Sequence, residues 1–266
     1  MQVTHPVGMY NHLPPEDVFL ATDELGNEMG MGYMIYQYQP HLYPDCPINL
    51  YFAMDCQPAA RYVLFGALVA RARQLRDCDP NVRARVYTNI APQDLRMKDF
   101  YEHSGFDCSE GEEVLQLPIP IGDGRIPMSC TVAPTPLNTP EEQAALLYRL
   151  HQNDITYIDQ NYLSQLQRMP HFMVLGLYRN TELVGEVIMA GEGDHCELAA
   201  IYITPMCRRQ GMGRALLHRC MAIMAAEGVT RVTARIMSRS LPQKRLMNGF
   251  NPQVLGQTML YPGLFL

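Results

Sequence analysis

The 266-residue sequence predicts a mixed α/β protein of two sheets flanked by helices, and three observations carry that expectation. Short apolar runs bounded by turn residues alternate with longer stretches of helical periodicity along the chain. The element order of the second half, β-α-α-β-β-β-α-β-α-β, is partly repeated in the first half as β-β-β-α-β-α-β, which suggests duplication. Hydrophobic residues make up 47% of the chain and charged residues 18%, enough apolar material for a packed core and not the composition of a disordered chain.

Taken in order, residues 17–22 and 30–37 form a hairpin about the turn Asp23–Asn27, and 49–55 is a strand. An amphipathic helix over 59–75 leads to a strand at 82–90. A helix over 95–104 ends at Gly105, and 114–117 closes the half as a strand. The expected join is the Gly/Asp-rich stretch Gly122–Arg125, so domains are placed at 1–121 and 128–266 with 122–127 as linker. After a strand at 128–133, Thr139 is the N-cap of a helix with Pro140 at its first position and Glu141 and Glu142 in its first turn, where the dipole favours acids. A second helix covers 159–168. Residues 172–178 and 183–190 pair across the turn at 179–182, and 197–203 is a third apolar strand. The helix 213–227 ends at Gly228, and a strand (229–237), a short helix (241–247) and a last strand (254–260) complete the chain.

Composition bounds the function. A net charge of −6 gives no general attraction to nucleic acid, and no apolar stretch is long enough to span a bilayer. The N-terminus lacks the basic and apolar regions of a signal peptide, so a soluble cytoplasmic protein is expected. The eight cysteines include no C-x-x-C pair and the histidines show no metal spacing, so reduced structural thiols and no metal are expected. His195-Cys196 is read as structural, and Met212, Met221 and Met224 as helix core.

The segment Arg208-Arg-Gln-Gly-Met-Gly213 lies between a strand and a helix. Glycines let the backbone turn tightly so that its N–H groups converge on an anion, and the helix N-terminus adds unpaired donors. Arg208, Arg209 and Arg214 add full charges, a combination suited to a pyrophosphate. A dinucleotide fingerprint would need a third glycine where Leu216 stands, and a P-loop would need Gly-Lys-Ser/Thr.

In context, residues 197–217 closely resemble the central motif of the GNAT acyltransferase superfamily, R/Q-x-x-G-x-G/A after a strand ending in an apolar-x-Pro step, with Arg208, Gly211 and Gly213 at its three defining positions. The resemblance extends over about residues 126–266 by element order. Phe100–Phe106 resembles the family's later motif F/L-Y-x-x-x-G-F, so the chain looks like a tandem pair of GNAT-like domains. It implies that Arg208, Arg209, Gln210, Gly211, Met212, Gly213 and Arg214 hold the pyrophosphate of acetyl-CoA or a related acyl-CoA. It further implies that the backbone of Tyr202 and Ile203 pairs with the pantetheine arm, and that a splay beside that strand admits the thioester.

The implied reaction is acyl transfer to the primary amine of a small molecule or peptide. Glu197 is the candidate base, on a strand face expected to include 199, 201 and 203, with Glu186 in reserve. Its ordinary reading as a strand-edge glutamate stays open. The family's tyrosine acid is missing, with Arg245 near its place. In the first half Tyr101 holds the tyrosine position, but residues 56–62 contain no glycine, so this half is read as a degenerate copy. Residues 139–170 and the tail from Asn251 are expected to wall the acceptor, with Glu141, Asp154 and Asp159 as carboxylates that could attract an amine. A non-catalytic acyl-CoA-sensing module is the alternative, and monomer and homodimer are both open.

Overall fold

The computed structural model describes residues 1–122 and 125–266. The first strands are β1 (Gln2–Thr4), β2 (Val18–Thr22), β3 (Glu28–Tyr38) and β4 (Ile48–Cys56). Asp23 turns the chain between β2 and β3, its carboxylate accepting the N–H groups of Leu25 and Asn27. Helix α1 (Arg61–Asp77) buries Leu64, Leu68 and Ala72, an i, i+4, i+8 stripe. Gly32 on β3 makes room for that stripe, since a Cβ there would lie 2.8 Å from Leu68 Cδ1. Strand β5 (Ala84–Tyr87) and helix α2 (Leu95–His103) follow, with Asp94 capping α2 through the Met97 N–H.

Next come β6 (Gly111–Leu117), β7 (Cys130–Pro134), α3 (Pro140–His151) and α4 (Gln160–Leu166). Helix α3 opens with a complete capping box: Thr139 accepts the Glu142 N–H and the Glu142 side chain reaches back to the Thr139 N–H. Strands β8 (Met173–Arg179), β9 (Glu182–Glu192) and β10 (His195–Ile203) form a meander. Helix α5 (Met212–Ala226), β11 (Arg231–Met237), α6 (Leu241–Asn248), β12 (Gln253–Leu260) and β13 (Gly263–Phe265) end the chain. The expected elements all appear within a few residues of their predicted bounds; β1 and β13 are additional.

The strands form two mixed sheets, ordered β1-β2-β3-β4-β5-β13 and β12-β6-β11-β10-β9-β8-β7. The chain divides into two compact units, residues 1–111 with 258–266 and residues 112–257. This differs from a cut at the expected linker 122–127, of which Asp123 and Gly124 lie outside the described residues. Strand β6, expected to close the first half, pairs with β11 of the second sheet (Leu117↔Val232 to Glu112↔Met237), and β13 pairs with β5 of the first. Pairing partners are chosen by long-range register and not by sequence proximity.

In the first unit an aromatic cluster of Phe52, Phe65, Phe100, Tyr101 and Phe106 packs between sheet and helices. In the second unit two cores cover the sheet. One joins Leu216, Leu217, Cys220, Met221 and Met224 of α5 to Leu198, Val232, Ala234 and Ile236. The other joins Leu146, Leu150, Ile158 and Leu163 of the α3–α4 region to Val174, Ile188, Ala199, Ala200 and Tyr202. The methionines expected in the helix core are there. Strand β9, central and buried from Val184 to Gly191, reads as a continuous apolar run interrupted only by Glu186 and glycines. Among the described residues no helix is long and apolar enough to cross a membrane, which says nothing of β-barrels.

Candidate active site

The second sheet contains a fork. Strands β10 and β11 run parallel and pair only from His195↔Arg231 to Leu198↔Ala234. At that point β10 bulges: Leu198 opposes Met189 and Ala200 opposes Ile188, leaving Ala199 without a partner on β9. Beyond the bulge β10 follows β9 alone to Ile203, while β11 continues beside β6 to Met237. The Thr204 N–H donates to Val184 O at 2.8 Å. Antiparallel alternation therefore turns the main chain of Tyr202 toward β9 and that of Ile201 and Ile203 toward the fork. The backbone of Tyr202, expected to pair with a pantetheine arm, is thus engaged by the neighbouring strand, and that of Ile203 faces the fork.

The loop that follows is a concave turn at the start of a helix. A short 3₁₀ turn (Pro205–Cys207) leads to Arg209 at φ 61° and Gly211 at φ 77°, two left-handed residues that fold the backbone into a concave turn. The first i→i−4 bond of α5 runs from Ala215 N to Gly211 O at 3.0 Å, so the Met212, Gly213 and Arg214 amides have no acceptor within the helix. Gly213 packs close to the strand, since a Cβ would sit 3.4 Å from Ile203 Cγ1 and from Leu246 Cδ1.

The cationic side chains divide their work. Arg208 turns inward, its Nε donating to Ile203 O at 2.8 Å, and burial lowers its pKa; it braces loop against strand. Arg209, Gln210 and Arg214 are exposed. Gly211, Arg214, Ala215 and His218 line a hollow of about 140 Å³ with Arg125, a concentration of positive charge beside free amides.

A family model described as the acetyltransferase (GNAT) family matches residues 140–250, the segment that holds both fork and loop. Residues 140–250 are a GNAT domain. Solved structures agree in fold. The chain is 14% identical to a GCN5-related N-acetyltransferase from Sphaerobacter thermophilus, with a TM-score of 0.51 over 95% of this chain and 81% of that one. A GCN5-related N-acetyltransferase from Anabaena variabilis gives 13% identity and a TM-score of 0.52, covering 93% and 62%. A probable N-acyltransferase from Enterococcus faecalis V583 gives 11% and 0.51, covering 92% and 61%. No curated protein sequence matches the chain.

In the GNAT domain Glu197 lies beside the closed end of the fork. Its carboxylate is 29% exposed and pairs with Arg235 Nε on β11 at 3.0 Å. The bulge corrects its expected face: Ala199, Ala200 and Tyr202 pack with the α3–α4 core, whereas Ile201 and Ile203 pack with the α5 core. Glu197 alternates with Cys196 and Leu198 of the α5 core and so faces the α3–α4 side. Tyr157 donates its hydroxyl to Ala199 O at 2.6 Å. Burial and then the Glu197 carboxylate raise the Tyr162 pKa, while Arg235 opposes the rise.

The reserve candidate Glu186 is fully buried and saturated. Arg149 donates to both its oxygens at 2.8 and 2.9 Å, Thr135 donates at 3.1 Å, and Tyr202 donates at 2.6 Å. Burial, reinforced by this carboxylate, pushes the Tyr202 hydroxyl far above the ordinary tyrosine range. Glu186 is thereby a structural anchor. Asp159 is likewise committed, as the N-cap of α4 accepting the Tyr162 N–H. Arg245 is exposed on α6. His195 bonds Thr233 at 2.8 Å and Cys196 is buried, a structural pair. The roles of Arg235, Arg149 and Tyr157 were not legible in sequence, because each depends on a partner strand far along the chain. Among the described residues no group of three or more His, Cys, Asp or Glu side chains is placed to hold a metal.

The first unit has its own fork. Strand β4 pairs with β5 only from Ile48↔Ala84 to Tyr51↔Tyr87 and then runs on to Cys56. Its following loop differs from the loop before α5. The Gln57 N–H donates to Met29 O at 2.9 Å, Ala60 N–H to Gln57 O at 3.0 Å and Arg61 N–H to Pro58 O at 3.4 Å, and no residue of 56–61 is left-handed. Tyr101 is buried beside this fork, and burial pushes its hydroxyl up to about 12.

Proposed function

We propose that the protein is an N-acyltransferase that moves an acyl group, foremost acetyl, from acyl-CoA to the primary amine of a small molecule or peptide. One observation carries the reading: a strand fork and a loop of free helix-terminal amides stand at consecutive positions of the same strand–loop–helix unit. In this reading the amides of Arg209–Arg214 receive the pyrophosphate, with Arg209 and Arg214 adding charge. The Ile201 and Ile203 main chain pairs with the pantetheine amides. The thioester then lies in the fork, beyond Leu198.

Glu197 serves as general base, directly or through a water, keeping the amine neutral. The amine nitrogen attacks the thioester carbonyl; the C–N bond forms, the C–S bond breaks, and the nitrogen's proton passes to Glu197. The leaving thiolate takes its proton from solvent, consistent with Arg245 at the family's tyrosine position. Arg235 holds Glu197 in place, so the carboxylate acts with its remaining lone pairs. The first unit is proposed as a degenerate copy of the GNAT unit, supported by its repeated element order, its own fork and its internally bonded loop. The exposed Arg245 and the ion-paired Glu197 favour one second reading, a module that binds acyl-CoA without transferring the group.

Thermal unfolding with acetyl-CoA, followed by an amine-acceptor screen reading free thiol, separates these. Stabilisation with thiol release supports the transferase, and stabilisation without release across the screen supports the binding module. No stabilisation at millimolar ligand rejects both.

A further inference from the structure

A hollow at the fork of the first unit is larger than the one beside the loop before α5. It encloses about 470 Å³ and is lined by the end of β4 (Ala53–Cys56), by Arg61, by Thr88–Ala91, and by Asp94, Met97 and Tyr101. That volume suits a small organic molecule. We propose that it is a binding site for a small zwitterion of the α-amino acid type, not for a phosphate-bearing thioester.

Charge carries the class of ligand. Arg61, half-buried at the first position of α1, lies over the Phe100 ring at 5.5 Å. No carboxylate comes within ion-pairing distance of it among the described residues. A guanidinium held on an aromatic face beside a helix N-terminus is a ready partner for a carboxylate. The same hollow carries two acids. Asp55 is exposed, and its carboxylate has neither ion pair nor hydrogen bond among the described residues. Asp94 spends one oxygen on capping α2. A ligand bearing both a carboxylate and an ammonium satisfies both signs, whereas a polyanion meets one cation against two acids.

The backbone agrees. Gln57 N–H bonds β3, so alternation turns the main chain of Met54 and Cys56 toward the fork, offering a carbonyl and an N–H on each residue. Phosphates are disfavoured because the amides of Gln57, Ala60 and Arg61 are already bonded to Met29, Gln57 and Pro58, and no left-handed residue makes the loop concave. The Asn89 amide nitrogen, whose contact is the Met259 sulfur at 3.7 Å, is a further donor on the wall.

The test uses the full chain and titration calorimetry with the standard L-α-amino acids one at a time, with acetate, ethylamine and inorganic pyrophosphate as single-feature probes. At least one amino acid is expected to bind, while acetate and ethylamine alone do not. Arg61→Ala and Asp55→Asn are each expected to weaken binding by about tenfold or more, the loss of a charge-assisted contact. Should Arg61→Ala fail to fold through loss of its Phe100 contact, Asp55→Asn at an exposed position still decides. Gly211→Val, in the other unit, leaves amino-acid binding unchanged. The proposal is overturned if no amino acid binds at millimolar concentration, if acetate binds as well as the amino acid, if Asp55→Asn has no effect, or if pyrophosphate displaces the ligand.

Discussion

At Gly211 an added Cβ would meet nothing within 4 Å, yet the residue sits at φ 77°. A side chain there is resisted by backbone strain, not by crowding, at about 1–2 kcal/mol for an L-residue held left-handed. Gly211→Val is therefore expected to lower the melting temperature by only a few degrees while abolishing the stabilisation by acetyl-CoA; full stabilisation by acetyl-CoA would remove the loop from the cofactor site. Glu197 belongs to a different test, because its carboxylate would act in the chemical step. Glu197→Gln is expected to cut kcat by about 10²-fold or more without changing acetyl-CoA affinity. Its residual rate should climb with pH as the amine loses its proton, and a pH profile identical to wild type would disprove the base assignment. Glu186, fully buried and held by Arg149, Thr135 and Tyr202, supplies the structural counterpart. Arg149→Met strands a buried carboxylate and is expected to cost about 3–5 kcal/mol in urea denaturation, and adding Glu186→Leu should recover much of that loss. If the double variant is no more stable than the single one, desolvation of Glu186 is not the cause.

Among the elements, β10 decides whether there is a site at all. The bulge at Ala199 steers the strand away from β11. Deleting Ala199 would leave Leu198↔Met189 and Ala200↔Ile188 as consecutive pairs of a regular antiparallel ladder, with Leu198 and Ile201 still on the α5 side. The deletion variant is expected to fold cooperatively yet lose its acetyl-CoA response, since β10 can then continue beside β11 and close the fork. Retained binding would show that the fork opens for another reason. The strand itself was legible as an apolar run between turn signals, and the tight turn before α5 was legible because glycine has a specific meaning before a helix. The bulge was not. Leu198-Ala199-Ala200 reads as uninterrupted strand, and no residue marks where the alternation changes face, so local pattern alone groups Glu197 with Ile201 and Ile203. Nor did local pattern reveal the Arg235 and Arg149 pairings, which depend on strand order. Thr139, by contrast, declared its role through a local motif that the structure reproduces in full.

For the whole molecule, the strand order overrides the sequence order. The first sheet takes its last strand from residues 263–265, and the second takes β6 from before the Gly/Asp-rich stretch where a boundary would be drawn by composition. Local pattern identified each of these elements except β13 but could not say which sheet received them, because Glu113-Val-Leu-Gln-Leu117 carries the same alternation whichever partner it finds. The consequence for fragments is direct. A C-terminal fragment 128–266 contains the GNAT match but lacks β6, leaving β11 with an unpaired edge and exposing Leu115 and Leu117 positions of the core as a gap. Residues 112–257 contain every pairing partner of that sheet's interior. We expect 112–257 to give a soluble, cooperatively unfolding domain that acetyl-CoA stabilises, and 128–266 to aggregate or melt without a transition. Circular dichroism melts of the two fragments, with and without acetyl-CoA, make the comparison. A cooperative, ligand-stabilised 128–266 would mean that β6 is dispensable and that the boundary drawn from composition is the working one.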